Sequence, residues 1–237
     1  MLGRFLEVSL PAPAILESWH FYQRLGFTAA TVGEIWPHRY AALTDGRIAL
    51  GLHDLGLDAP LLSYVLPDLE RYLPRFEARG IDFDSRNVGD SGFNAAVFTA
   101  PDGQSVRLLE ARTFSPPEGP QSSLLGWFEE YAVPVDDLAA ARDFWERCGF
   151  VTAAEEEAPW PHLALTSDSL NIGLHRTREL PRPTLVFSHE DVPALRAQLE
   201  AAGVAGDARL PCALDSRHHL LLVAPEGTRL LIAPPPA

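Results

Sequence analysis

Cysteine is scarce in this 237-residue chain: Cys148 and Cys212 are the only two, and they share no CxxC spacing. Two thiols cannot build a disulfide framework, so both are read as reduced. Positive charge is short as well, with 19 Lys and Arg against 32 Asp and Glu and a formal net charge of −13. The resulting field repels phosphate backbones and anionic lipid heads, which argues against nucleic acid and membrane partners. No apolar run approaches the roughly 20 residues needed to span a bilayer. The opening "MLGRFLEVSLPAP" has neither the long apolar stretch nor the small-residue cleavage site of a signal peptide, so a cytoplasmic location is expected. GxSxG, P-loop, HExxH and dinucleotide fingerprints are all missing.

What is present is an internal repeat. "EVSLPAPAILESWHFYQRLGF" (residues 7–27) lines up with "EYAVPVDDLAAARDFWERCGF" (residues 130–150), and "WPHRYAALTDGRIALGLH" (36–53) with "WPHLALTSDSLNIGLH" (160–175). A nearly constant offset also carries Gly80 to Gly203 and Gly103 to Gly227. Self-similarity on this scale means a duplicated domain. The expected organisation is a first domain over 1–113, a linker over 114–124 around "SPPEGPQSS", and a second domain over 125–237. A hydrophobic fraction of 46% can fill a core for either half.

Each half reads as strand, helix and strands, twice over. "RFLEVSL" alternates as a half-buried strand does, and Pro11 and Pro13 close it. Ile15, Trp19, Tyr22 and Leu25 fall at helical spacing before a stop at Gly26. Two short strands follow, joined at Asp45 and Gly46. "LLSYVLP" then begins the pattern again, with a helix begun by Asp68 and stopped by Gly80, and a hairpin turning at "PDG".

This order, with "SWHFYQRLGF" and "RDFWERCGF" after the first strand of each half and "APDGQSVRLL" and "APEGTRLLI" near its end, resembles the vicinal oxygen chelate superfamily. Glyoxalase I, the extradiol dioxygenases and the bleomycin-resistance proteins belong to it. The resemblance implies an α+β fold of two tandem glyoxalase-like domains, each of paired βαβββ modules forming a cup-shaped sheet. It leaves function open, because one scaffold hosts isomerases, dioxygenases, transferases and plain binders.

The resemblance also implies where a divalent metal would sit on the cup floor: on the first strand, near the end of the third or fourth, at the start of the fifth, and on a Glu after the late glycine turn. Laid on this chain, those places fall on Glu7 and Glu130, on Gly51 and Gly173, on Leu61 and the vicinity of Thr184, and on Arg107 and Leu231. Only the two carboxylates can ligate. No metal ligands and no cofactor are therefore expected, a divalent metal being possible but the ligand positions largely absent.

His53 and His175 lie two residues beyond the glycines, on the same strand face. They read either as rim histidines with wetted rings or as acid–base partners of Glu7 and Glu130, which makes Glu7, His53, Glu130 and His175 the candidate catalytic residues. Trp36, His38, Trp160 and His162 are candidate ligand-binding residues that could equally be packing. Arg107 could pair with Glu7 or anchor a ligand carboxylate, and with Leu231 in its place the second cup is expected to be the less polar. His218 and His219, adjacent along the chain, cannot easily share one ion.

Two functions follow. One is a metal-independent binding protein of the glyoxalase or bleomycin-resistance type, holding a small, partly aromatic molecule. The other is a lyase, isomerase or dioxygenase using a Glu/His pair or a reduced divalent-metal site. A small-molecule ligand is expected in both, with a homodimer possible.

Overall fold

The computed structural model describes residues 2–30, 36, 38–89, 93–111, 123–204 and 209–235. Most of the expected linker lies outside them. The first half runs β1 (Arg4–Pro11), α1 (Ile15–Arg24), β2 (Thr28–Ala29), β3 (Tyr40–Thr44), β4 (Ala49–His53), then β5 (Leu61–Val65), α2 (Leu69–Glu77), β6 (Ser85–Asn87), β7 (Ala95–Thr99) and β8 (Ser105–Leu109). The second runs β9 (Trp127–Pro134), α3 (Leu138–Cys148), β10 (Val151–Glu156), β11 (His162–Thr166), β12 (Asn171–His175), then β13 (Thr184–Ser188), α4 (Val192–Ala201), β14 (Leu220–Val223) and β15 (Arg229–Ala233). The α+β expectation holds.

The strands form an eight-stranded sheet, β2-β3-β4-β1-β5-β8-β7-β6, and a seven-stranded one, β10-β11-β12-β9-β13-β15-β14. In each, two modules join edge to edge through an antiparallel pair of first strands, β1 with β5 and β9 with β13; three are βαβββ, and the last shows one strand fewer among the described residues. Within a module the first strand pairs parallel with the last, as β1 with β4 and β9 with β12. A parallel pair needs a crossover, and the amphipathic helix supplies it.

Helix α3 follows its sequence signals: Asp137 caps the N-terminus by accepting from Ala139 and Ala140, and Gly149, at φ 103°, ends it. Asp68 behaves differently from the expectation, because it takes a left-handed φ of 55° before α2 and makes no side-chain cap. The helix-facing sides of both sheets feed one contiguous apolar core, in which Tyr22, Leu62 and Phe98 from the first half join Trp145, Leu185 and Phe187 from the second. No helix among the described residues is long and apolar enough to cross a membrane.

The halves clasp each other reciprocally. Trp145 Nε1 of α3 donates to Asp102 Oδ2 in the "PDG" turn of the first half, at 2.9 Å. Tyr22 of α1, the repeat equivalent of Trp145, donates to Glu226 Oε1 in the "PEG" turn of the second half at 2.7 Å, and Ser18 donates to Glu226 Oε2 at 2.6 Å. Burial pushes the Tyr22 phenol well up, so it stays a donor. The two sequence marks that carried the family resemblance are thus the two sides of one contact.

Candidate active site

Both sheets present Glu from the first strand and His from the last strand of the same module to the concave face. A β-bulge precedes each carboxylate: the pairing shifts between Phe5 and Glu7 in the first half, and between Val186 and Phe187 opposite Glu130 in the second. Bulges re-aim the side chain that follows, and here they turn the carboxylates toward the neighbouring strand.

The glycines explain the next step. A Cβ at Gly51 would lie 2.2 Å from the Glu7 carboxyl, and one at Gly173 would lie 2.2 Å from that of Glu130. Their missing side chains are the space through which each Glu crosses the last strand of its module to a histidine. Glu7 Oε1 meets His53 Nε2 at 2.7 Å, and Glu130 Oε1 meets His175 Nε2 at 2.7 Å. His53 is 0% exposed and His175 7%, so neither is a wetted rim residue. A buried carboxylate holds each ring in place, which the periodicity of one strand cannot reveal.

Beyond this shared pair the cups diverge. In the first, Ser9 donates to Glu7 Oε1 at 2.7 Å and is itself bonded to Ser63 at 2.8 Å. Tyr40 donates to Glu7 Oε2 at 2.5 Å, and His38 Nε2 bonds His53 Nδ1 at 2.8 Å. Glu7 is 1% exposed, enclosed by these partners. Burial, His53 and Arg107 lower the pKa of His38, keeping it neutral. The Trp36 ring packs on His53 and His38, with its Nε1–H turned toward Tyr40 but closing no hydrogen bond. Arg107 makes no ion pair with Glu7, though the carboxylate's charge favours the guanidinium from across Ser63.

In the second cup the strand position of Tyr40 is held by His162, since Tyr40 pairs with His53 as His162 pairs with His175, and Ala42 meets Gly51 as Ala164 meets Gly173. His162 Nε2 lies 3.1 Å from Glu130 Oε2, and its ring stacks on His175 at 4.2 Å. Trp160 Nε1 donates to His175 Nδ1 at 2.8 Å. An indole N–H only donates, so His175 Nδ1 accepts and its proton sits on Nε2, directed at Glu130. Burial alone would raise the Glu130 pKa, but the hydrogen bonds from His162 and His175 outweigh it and hold the carboxyl at about 2. His162 shifts the other way: burial opposes its charge, yet the bond to Glu130 raises its pKa.

This arrangement overturns the expectation that metal-ligand positions are largely absent. Glu130, His162 and His175 offer ligand atoms that all lie within 4.8 Å of one another. Ligands about 2.1 Å from a metal and at right angles stand about 3 Å apart, which is the spacing of the Glu130 oxygens from the two imidazole nitrogens. Two imidazoles and one carboxylate suit a divalent transition metal. The sequence comparison missed the group because it looked along β9, β12, β13 and β15, across both modules, whereas the donors sit on β9, β11 and β12 of one. His162 and His175, repeated from His38 and His53, were the available signal.

The cups also trade polar groups: Ser9, Ser63 and Arg107 of the first stand where the second has Ala132, Val186 and Leu231. In the first, Leu6, Val65 and Leu109 make a separate apolar cluster with Trp36. In the second, Glu129 and Ser188 hold the places of Leu6 and Val65 and hydrogen-bond each other. The exposed turn of His218 and His219 is organised by Asp215, which His218 Nδ1 meets at 2.9 Å.

No protein family matches the chain, and no curated protein matches it. Solved structures do. Over 99% of this chain and 90% of the other, it is similar to a catechol 2,3-dioxygenase at 14% identity with a TM-score of 0.61. Similarity to homoprotocatechuate 2,3-dioxygenase from Arthrobacter globiformis covers 98% and 80% at 13% identity, TM-score 0.65. For the 2,3-dioxygenase LapB from Pseudomonas sp. KL28 the figures are 99% and 92%, 14% identity and 0.64. The chain has the two-domain vicinal-oxygen-chelate fold.

Proposed function

We propose that this vicinal-oxygen-chelate chain is a metal-dependent enzyme acting on a small molecule in its second cup, with Glu130, His162 and His175 as the metal ligands. The observation that carries the reading is the Glu130 carboxylate placed between two imidazole nitrogens at 2.7 and 3.1 Å. A divalent ion bound there would act as a Lewis acid, gathering two neighbouring oxygens of a substrate and polarising them.

The chain's own residues prepare the place. Glu130 is anionic across the working pH range, which favours a cation. Ala132, Ala164 and Gly173 register side by side across β9, β11 and β12, so the floor beside the ligands is free of bulk. Glu130 is 9% exposed against 1% for Glu7, so the second cup retains the access that the first has closed. The likeness in fold to proteins named as dioxygenases supports an enzyme over a structural protein and does not choose the reaction.

Metal content decides the matter. Purified protein dialysed against Mn²⁺ or Fe²⁺ should retain one ion per chain by plasma mass spectrometry. His162→Gln and Glu130→Gln should weaken uptake by more than the roughly 10–100-fold that loss of an outer-shell partner costs. Wild-type protein that takes up no stoichiometric ion, or variants that bind as well, would sink the reading.

A further inference from the structure

Among the described residues Arg107 is a cation with no salt-bridged carboxylate. It lies on β8, opposite Ser63, which in turn lies opposite Glu7, so all three share the concave face of the first sheet. Glu7 is near enough for its charge to favour the guanidinium, but it is hydrogen-bonded to His53, Ser9 and Tyr40 and forms no ion pair with Arg107. Among the described residues the guanidinium has neither an ion pair nor a hydrogen bond. Burial lowers its pKa, the sign of a charge held partly out of water.

Its one companion is aromatic. The guanidinium carbon stands 5.1 Å over the Trp36 ring, close enough for a cation–π contact, which leaves all five N–H donors unused. The buried unsatisfied atoms include Trp36 Nε1 and Arg229 Nε but none from Arg107, so its nitrogens still reach solvent. Phe93, 36% exposed, sets its ring 5.6 Å from that of Trp36 and extends the flat apolar wall toward the outside.

We infer that the first cup holds a binding site for a flat aromatic carboxylate, its carboxylate on the Arg107 fork and its ring against Trp36 and Phe93. A guanidinium meets a carboxylate through two parallel N–H···O bonds, and the pairing supplies the charge that the fold withholds. A fully hydrated ion gains less from a half-buried cation with aromatic sides than a planar acid does, because only the acid also covers the apolar wall. The site is independent of the metal reading and uses none of its residues.

Benzoate is the probe, titrated calorimetrically into the full chain, with neutral benzamide as its isostere. Benzoate should bind one to one and benzamide at least about 10-fold more weakly, since it lacks the charge-assisted pair. Arg107→Gln should lose about 10-fold or more for benzoate, Arg107→Lys should keep part of it, and His162→Gln should bind as the wild type does. Removing an unpaired, half-buried cation should leave the melting temperature unchanged or higher, so Arg107→Gln is expected to fold. Equal binding of benzoate and benzamide, undiminished binding by Arg107→Gln, or no saturable benzoate binding would each overturn the site. So would a lower melting temperature of Arg107→Gln, which would show the guanidinium to be a structural element.

Discussion

Tyr40 occupies in the first half the strand position that His162 occupies in the second, and its hydroxyl takes the carboxylate oxygen that the His162 ring takes there. His38, which matches His162 in the Trp-Pro-His motif, instead bonds His53 Nδ1 as Trp160 bonds His175 Nδ1. One side chain thus separates a closed hydrogen-bond relay from a cluster of metal-ligand type. Tyr40→His should set an imidazole against Glu7 Oε2, as His162 is set against Glu130, and raise the metal content of Mn²⁺-loaded protein from one ion per chain toward two. Content that stays at one would mean that more than Tyr40 keeps the first cup closed.

Trp160 opposes the metal. A ligating His175 Nε2 must give up its proton, and the ring's remaining N–H on Nδ1 would then face the indole N–H across the present 2.8 Å contact. Trp160→Phe removes that conflict and should tighten Mn²⁺ binding about 10-fold, the worth of one hydrogen bond of about 1.4 kcal/mol. Calorimetric titration reads the change. Weaker binding by the variant would show that the indole's hold on the ring outweighs the hydrogen bond lost.

Glu130 and His162 make the metal-free protein sensitive to pH on two sides. The Glu130 pKa is depressed to about 2 from an ordinary 4.5, so its contribution is present above 4.5 and is lost as pH falls toward 2. His162 is raised above 6.5, so its contribution is full below 6.5 and is lost as pH rises through the raised value. Urea unfolding in EDTA should therefore show the largest stability gap between wild type and His162→Gln from pH 4.5 to 6.5, narrowing on either side. A gap independent of pH would argue that the pair is not ionic.

The clasp between the halves predicts a stability effect far from either cup. Glu226→Ala strips the buried Tyr22 hydroxyl of its acceptor, and an unsatisfied buried donor costs about 2 kcal/mol. Denaturant midpoints measure it, and Tyr22→Phe in the same background should recover much of the loss. Without recovery, the cost lies elsewhere in the turn.

Much of this was legible in the chain. The duplication gave the two sheets, and Asp45-Gly46 marked the turn between β3 and β4 that the structure contains. The strand pattern left His53 and His175 either at the rim or beside Glu7 and Glu130, and the structure sets each ring against its carboxylate. What stayed hidden depends on space between strands. Gly51 and Gly173 read as ligands lost, whereas they are the gap through which each carboxylate reaches its histidine. The equivalence of Tyr40 with His162 is hidden by a two-residue difference in the spacing from the Trp-Pro-His motif to the strand-end histidine, and shows only when β3 and β11 are registered against their neighbours.

The reciprocal clasp also says something about ancestry. A turn carboxylate that grips an aromatic residue of the other half, repeated in both directions, has the self-complementarity of a two-fold dimer interface. Before the gene doubled, two identical chains could have gripped each other through these same two motifs, and any change to one cup would have struck both at once. Fusion into one chain released that constraint. The first cup was then free to set Tyr40 on its carboxylate where the second sets His162.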